Sequence, residues 1–163
     1  MSIKNYTSEG GDPHYDIFRL WRVLDLTRFL IARLREQELA RFNITPEQAY
    51  VLDILADGEG SSTINEIVKI TARRHHSIST LIRRMIDQGL VSRSTNTIDR
   101  RKLDIYITEK GRRLYNNITR DSIIEVFSCL DKTRRTQMEQ GLLQLLRSAH
   151  IATDNKYKPP DMD

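Results

Sequence analysis

Cysteine and glycine are scarce in this chain. Its 163 residues include one cysteine, Cys129, and seven glycines. A single cysteine excludes an intramolecular disulfide framework. The glycines form no phosphate-binding loop, and no Ser/His/Asp or Cys/His arrangement occupies a turn suited to nucleophilic catalysis. The sequence therefore gives little support to an enzyme, and we expect no cofactor.

Long apolar runs are also missing. No run approaches the roughly 20 residues that span a bilayer, and the polar N-terminus lacks the apolar segment of a signal peptide. Hydrophobic residues make up 39% of the chain and charged residues 29%, an ordinary balance for a globular domain with a real core. We therefore expect a cytoplasmic protein with no membrane partner.

The basic residues are unevenly distributed. The net charge of the chain is only +4. Residues 72–113 carry 11 Lys and Arg against 4 Asp and Glu, a net charge of +7, whereas the remainder carries 15 against 18, a net charge of −3. Such a concentrated basic region is typical of a surface that binds nucleic-acid phosphates.

A charged β-hairpin is predicted inside this basic region. Residues 103–107 alternate between aliphatic residues and Asp or Tyr, which is the period of a half-buried strand. The preceding Asp-Arg-Arg-Lys of residues 99–102 would form a projecting tip. Extended arginines suit the narrow minor groove of DNA. The alternative is a merely solvated tip in which Asp99 and Arg101 pair with each other.

Residues 63–88 predict two helices joined by a short turn. Thr63 and Glu66 have the spacing of a capping box, which starts the first helix. The second helix is predicted from about Arg74 to Gln88, and Gly89 is well placed to end it. This arrangement is the helix-turn-helix of many DNA-binding proteins.

The second of these helices has two different faces. Its apolar residues recur with the i, i+3, i+4, i+7 spacing of a buried stripe, at Ile78, Leu81, Ile82 and Met85. Short polar residues occupy the start of the other side, and arginines follow. Short side chains can reach base edges in a major groove, and arginines can reach phosphates. The predicted DNA contacts of this helix are Arg74, His75, His76, Ser77, Ser79, Thr80, Arg83 and Arg84.

The two helices of residues 63–88, followed by the charged hairpin, resemble the MarR family of winged helix-turn-helix regulators. The resemblance spans roughly residues 15–149 and rests on the recognition-like helix at 75–85, the Gly-Leu-Val-Ser-Arg at 89–93, and a wing with Asp99, Arg101 and Gly111 in register. It implies a mainly α fold. That fold is a winged helix-turn-helix with a small β-hairpin wing, and its N- and C-terminal helices form a dimerisation domain.

The resemblance also implies roles for particular residues. Arg101 would enter the minor groove and Asp99 would help to position it, so the predicted wing contacts are Arg93, Asp99, Arg100, Arg101 and Lys102. An obligate homodimer would bind a two-fold symmetric stretch of double-stranded DNA, most often as a repressor. Effectors in the family are often small aromatic or phenolic anions bound between the dimerisation helices and the DNA-binding lobe. Arg73 departs from the family, which usually places an apolar residue before the recognition helix.

The outer segments predict helices that need a partner. Asp12 and Pro13 suit the start of a helix from about His14 to Ala40, whose apolar residues cover well over half its circumference. A helix with one exposed side would not be so apolar, so it must lie between its own domain and something else. Thr45 begins another capping box, and that helix is expected to end near Gly58.

Two further helices are predicted after the wing. Thr108 caps a helix that reaches about Cys129, and Asp131 caps the last one. The last helix carries an amphipathic stripe suited to helix packing. The predicted dimer interface therefore contains Ile17, Trp21, Leu24, Met138, Leu142 and Leu145.

These elements predict a division of the chain. A disordered tail (1–11) precedes an N-terminal dimerisation helix (12–42) and a winged helix-turn-helix lobe (43–111). The C-terminal dimerisation helices (112–151) and a second disordered tail (152–163) follow.

Three residue types allow other chemistry. Adjacent histidines on a helix point about 100° apart, so His75 and His76 do not suit one metal ion; we place His75 at the edge of the core and His76 outward. Cys129 is expected to be a small buried core residue rather than a redox sensor. Trp21 is expected at the interface core rather than in an effector pocket.

The predicted function is sequence-specific binding of double-stranded DNA by a ligand-responsive regulator of transcription. The alternative is a winged-helix module for protein–protein contact, because a fold does not fix a function. The basic region favours DNA.

Overall fold

The structure, a computed structural model, describes residues 14–58, 60–95 and 103–153. These parts of the chain are mainly helical, with a small three-stranded antiparallel sheet. The elements in chain order are α1 (Tyr15–Ala40), α2 (Pro46–Asp57), β1 (Ser61–Thr63), α3 (Ile64–Thr71), α4 (His75–Asp87), β2 (Val91–Thr95), β3 (Leu103–Ile107), α5 (Glu109–Asn117), α6 (Asp121–Phe127) and α7 (Lys132–Ala152).

Side-chain caps begin four of these helices where the sequence predicts them. Thr45 and Thr63 each complete a capping box at the start of α2 and α3. Thr108 and Asp131 cap α5 and α7. Gly89 follows α4 with a φ of +70°, which glycine adopts without strain, and lets the chain turn into β2.

The chain ends differ slightly from the prediction. α1 begins at Tyr15 with His14 as its N-cap, and α7 ends at Ala152. Asp12, Pro13 and nearly all of the two predicted tails lie outside the described residues.

The sheet contains a strand, β1, that the sequence did not predict. β3 is central, and Ile105 lies opposite Ser62 of β1 and Arg93 of β2. Ile105 is buried and Ile107 is half-buried, but Leu103 is 43% exposed. The buried face of β3 is therefore shorter than predicted, because the end of the strand at Leu103 extends beyond the core.

The core lies between the sheet and the helices α2, α3 and α4. Burying one large aliphatic side chain stabilises a fold by roughly 1.5–3 kcal/mol. The buried apolar residues include Leu39, Val51, Leu52, Leu55, Ile67, Ile78, Ile82, Met85, Val91 and Ile105. Three of them belong to α4, so the core fixes that helix firmly in the lobe.

A close contact joins α5 to the connection between α4 and β2. Thr108 Oγ1 donates to the carbonyl oxygens of Gly89 (2.7 Å) and Leu90 (3.0 Å) and accepts from Gly111 N at 3.0 Å. A Cβ atom at position 111 would overlap the Leu90 carbonyl oxygen. Glycine at this position therefore lets the first turn of α5 lie against the base of the wing.

The prediction of one helix from Thr108 to about Cys129 is wrong. α5 ends at Asn117, Ile118 is extended with φ −65° and ψ 120°, and α6 begins at Asp121. Ile118 is buried, which the extended backbone allows. The break depends on tertiary partners from α1, so the local sequence carries no signal for it.

Glu38 of α1 supplies those partners. Its carboxylate accepts hydrogen bonds from Arg35 Nη1 (2.6 Å), Thr119 Oγ1 (2.7 Å), Asp121 N (2.8 Å) and the Ser122 hydroxyl. Glu38 is 6% exposed. Burial alone would raise the pKa of Glu38, but the bonds from Ser122, Thr119 and Arg35 outweigh it and lower the pKa from 4.5 to about 2. The ionised carboxylate therefore ties the end of α1 to the start of α6.

The outer helices expose large apolar side chains. α6 and α7 bury none of their residues, and α1 buries only Glu38 and Leu39. Trp21 is 55% exposed and Leu145 is 47% exposed. Within the described ranges, no helix has the length and apolar character needed to cross a membrane.

Candidate nucleic-acid interface

α4 presents opposite faces to the core and to solvent. Ile78, Ile82 and Met85 are buried and Leu81 is half-buried, as the spacing predicts. All the predicted contacts of this helix lie outside that stripe. Ser79 and Thr80 are half-buried, and the exposed residues are Arg74, His75, His76, Ser77, Arg83 and Arg84.

The first turn of α4 extends beyond the core. His75 is exposed, so its predicted place at the edge of the core is wrong; the buried stripe begins only at Ile78. The Nδ1 atom of His75 lies 3.3 Å from Ser79 Oγ, one turn further along. The first turn of α4 contains no acidic residue, so no carboxylate of the helix itself offsets its positive dipole end.

The arginines of α4 are available to bind anions. Among the described residues, neither Arg83 nor Arg84 pairs with a carboxylate. Arg73, which precedes α4, instead pairs with Glu47 of α2 at 3.2 Å. This ion pair gives Arg73 a partner at the position where the family that the sequence resembles usually has an apolar residue.

An open groove of about 910 Å³ runs beside α4. The first turn of α2 and the α1–α2 connection form its other wall, with Asn43, Thr45 and Glu47. From α4 the lining includes His76, Thr80 and Arg84. Since these three are also predicted DNA contacts, the groove flanks the face of α4 that was predicted to read DNA.

The wing is described only at its base. Arg93 is exposed on β2. Strand pairing continues as far as Thr95 and Leu103, the last described residues on either side. The predicted tip contacts lie outside the described residues: Asp99, Arg100, Arg101 and Lys102.

The predicted dimer residues lie on the outer helices. Ile17, Trp21 and Leu24 are exposed on α1, and the Trp21 ring is 5.2 Å from that of Phe18, at a 40° tilt. On α7, Leu142 and Leu145 are exposed and Met138 is half-buried. In the part of the chain that the structure describes, α1 buries only Glu38 and Leu39 and α7 buries no residue, so this apolar surface is left largely uncovered.

A second cavity, of about 290 Å³, lies between α1, α2 and the α5–α6 connection. Tyr115 donates its hydroxyl to Asp53 Oδ1 at 2.8 Å, and Arg120 Nη2 donates to the Tyr115 oxygen at 2.9 Å. Burial raises the pKa of Tyr115, and the bond to Asp53 raises it further, so the phenol stays protonated. Arg35 and Tyr50 complete the polar lining.

The sequence did not indicate this cluster. Asp53 and Tyr115 are 62 residues apart, and only the packing of α5 on α2 brings them together. Neither residue belongs to a local motif that could have identified it.

Cys129 lies in the turn between α6 and α7. It is exposed, so the prediction of a buried core residue is wrong, because α6 buries none of its residues. In the part of the chain that the structure describes, no group of three His, Cys, Asp or Glu side chains could hold a metal ion.

Comparison with protein families gives one match. Residues 42–102, which contain α2, the helix-turn-helix and most of the wing, match the model of the MarR family. No curated protein matches the chain by sequence.

Solved structures share this fold. A complex of Staphylococcus aureus MepR with DNA is 26% identical, with a TM-score of 0.70, over 78% of this chain and 96% of that one. A mutant of Escherichia coli MarR bound to operator DNA is 21% identical, with a TM-score of 0.74, over 83% and 99% of the two chains. An organohalide-sensing regulator, RdhR, bound to 2,4-dichlorophenol is 16% identical, with a TM-score of 0.79, over 100% and 99%.

Proposed function

Because residues 42–102 match the model of the MarR family, we propose that this chain is a homodimeric repressor of that family of winged helix-turn-helix transcriptional regulators. It binds a palindromic operator and releases it when a small effector binds. The observation that carries this proposal is the two-faced helix α4. Its apolar stripe is fixed in the core, while short polar side chains face outward together with Arg83 and Arg84, which pair with no carboxylate among the described residues.

In the proposed complex, α4 lies in the major groove of DNA. His76, Ser77 and Thr80 are short enough to read base edges, and Arg83 and Arg84 reach phosphates. Arg101, at the wing tip outside the described residues, enters the flanking minor groove. Asp99 orients it.

The proposed dimer forms through α1 and α7. A helix of 21 residues with no buried residue, and one of 26 residues with two, leave too much apolar surface exposed for a stable monomer. A two-fold axis through these helices would place the two copies of the 43–111 lobe on opposite sides, each presenting one α4 to DNA.

A protein–protein module is the second candidate. The charge distribution favours DNA, because the net +7 of residues 72–113 matches a polyanion. The MepR and MarR structures are themselves complexes with DNA, which supports the same choice.

Variants of α4 test whether this helix reads sequence. Arg84→Ala is expected to weaken binding to operator and random DNA alike and to reduce the salt slope by about 1, because a phosphate contact carries no sequence information. His76→Ala should instead weaken only operator binding, by about 1–3 kcal/mol, and relax the base preference. Fluorescence anisotropy over a salt series measures both effects.

Glu109→Gln, an exposed change at the start of α5, is the control for changes away from α4. If Arg84→Ala and His76→Ala both lowered affinity in the same sequence-independent way, α4 would not be the reader. The protein–protein candidate would then gain support.

The effector is proposed to bind in the 290 Å³ cavity. Ligand pockets usually measure about 300–1,000 Å³, so this one suits a small ligand. The rings of Tyr50 and Tyr115 line it, together with Arg35, which is paired with Glu38, and Arg120, whose guanidinium lies 3.6 Å from Asp53. We expect an aromatic or phenolic anion to pack on these rings and to bind Arg120 in place of Asp53. The dichlorophenol complex of RdhR supports this class. Such a ligand acts by preferring a dimer shape in which the spacing of the α4 helices mismatches the operator.

Titration of benzoate and of 2,4-dichlorophenol into the protein–DNA complex tests this site. Either ligand should weaken operator binding by about tenfold, within the usual range of allosteric coupling. Arg120→Gln should abolish the response, whereas Arg113→Gln, an exposed change on α5, should preserve it. An equal response in the Arg120→Gln variant would place the effector elsewhere.

A further inference from the structure

The first turn of α2 contacts both ends of the recognition helix α4. Glu47 Oε1 pairs with Arg73 Nη2 at 3.2 Å, just before α4 begins. The next residue, Gln48, donates from Nε2 to Gln88 Oε1 at 2.6 Å, just after α4 ends. Two consecutive residues thus hold a 13-residue helix at its two ends. We call these four residues the α2 bracket.

Gln48 is the fixed part of the bracket. It is only 5% exposed. Its Oε1 atom accepts from Thr45 N at 2.9 Å, while its Nε2 atom is committed to Gln88. Rotation of the amide would therefore break two hydrogen bonds in a buried position, which is costly. These two hydrogen bonds therefore favour one orientation of the Gln48 amide in its contact with Gln88, at the C-terminal end of α4.

The Glu47–Arg73 pair secures the end of α4 that has no side-chain cap. Arg74 is the N-cap, and its side chain makes no capping hydrogen bond. Burial alone would raise the pKa of Glu47, but hydrogen bonds from its own backbone N–H and from Thr45, together with Arg73, lower it. The carboxylate is therefore ionised at neutral pH and attracts the guanidinium.

We propose that the α2 bracket orients α4 for base reading, and that Glu47, Arg73 and Gln88 are positioning residues rather than base contacts. This inference rests on the proposed function. Hydrogen bonds weaken steeply with misalignment, so short side chains such as Ser77 read bases only from a well-placed helix. A long arginine adjusts to a phosphate. A loosened bracket therefore lowers affinity for the operator more than affinity for random DNA.

The test compares two duplexes. One is a sequence that the wild-type full-length chain enriches from a random pool, and the other is its scrambled counterpart. Gln88→Ala should lower the ratio of operator to scrambled affinity by about 3- to 10-fold, given the worth of one hydrogen bond. Glu47→Gln should lower it by about 2- to 5-fold, given the worth of one partly exposed ion pair. Fluorescence anisotropy gives both affinities.

Glu47→Gln separates positioning from simple electrostatics. Removing a negative charge beside DNA strengthens binding to every duplex. A lower ratio together with a stronger scrambled affinity is therefore the expected signature of positioning. The reversed pair, Glu47→Arg with Arg73→Glu, should restore the ratio. Asp57→Asn removes the same charge from the other end of α2 and should leave the ratio unchanged.

Urea unfolding first establishes that each variant keeps the wild-type stability. If Gln88→Ala is less stable than the wild type, the double variant Glu47→Arg with Arg73→Glu decides instead. That double variant keeps both the contact between residues 47 and 73 and the net charge. Unchanged ratios in the single variants, or no rescue by the reversed pair, would overturn the bracket while leaving the proposed function intact. A wild-type chain that enriches no sequence would overturn both.

Discussion

Leu142→Asp is expected to convert the proposed dimer into a monomer that binds the operator only weakly. Leu142 is 37% exposed in the single chain and lies on α7, which buries none of its residues. At a packed interface, an unpaired carboxylate would cost roughly several kcal/mol of desolvation. Sedimentation velocity should therefore show a monomer at micromolar concentration, and anisotropy should show operator affinity lost with it.

Gln144→Asp is the matched control for this variant. It adds the same charge to the same helix, but two residues further along, which turns it about 200° away from Leu142. Gln144→Asp should remain dimeric and bind DNA as the wild type does. A folded, DNA-competent dimer of Leu142→Asp would contradict the assignment of this stripe to the interface.

Glu38→Gln is expected to lower the free energy of unfolding by about 3 kcal/mol at neutral pH, the equivalent of the pKa depression at 1.36 kcal/mol per unit. The amide cannot carry the negative charge that Arg35 and the hydroxyl donors stabilise, and its NH₂ group would face donors. Urea unfolding at one fixed protein concentration measures the loss, since dimer stability depends on concentration.

The pH dependence of this effect has a definite sign. The pKa of Glu38 falls from 4.5 to about 2 on folding, so the unfolded chain binds the proton more tightly. The stabilisation is therefore complete above pH about 4.5 and is lost as the pH falls towards 2. The stability difference between wild type and Glu38→Gln should shrink across that window.

Glu36→Gln is the control, because Glu36 is an exposed acid on the same helix. Its stability should follow that of the wild type at every pH. A difference between Glu38→Gln and wild type that stayed constant from pH 7 to pH 3 would show that the carboxylate charge does not stabilise the α1–α6 junction.

The sequence predicts well those elements that local chemistry determines. Thr45, Thr63, Thr108 and Asp131 cap helices because their side chains accept from N–H groups three residues ahead, which is a short-range pattern. The two faces of α4 likewise follow from spacing alone. The alternation of residues 103–107 likewise predicted strand β3 at the base of the wing.

Elements that depend on distant partners were not predictable. β1 has only three residues and exists because β3 pairs with it. The break between α5 and α6 depends on Glu38, more than 80 residues away in sequence. Cys129 and His75 were misplaced because the sequence does not show where the core ends.

Candidate site residues divide in the same way. The exposed face of α4 could be derived from the helical period, since each position follows from its neighbours. The sequence indicated Arg73 only as a departure from the family pattern. Its ion pair with Glu47 could not be predicted, because it depends on the position of α2 beside α4. The cavity around Tyr115 and Arg120 has no local sequence signal at all.

Selection of binding sites from a pool of random duplexes shows whether the chain recognises a two-fold symmetric operator. The full-length chain is incubated with the pool at near-physiological salt, and the retained duplexes are sequenced. We expect enrichment of an imperfect palindrome whose half-site centres lie about 10 bp apart, so that two α4 helices occupy successive major grooves. Enrichment of an asymmetric, monomer-sized site, or of no sequence at all, would contradict it.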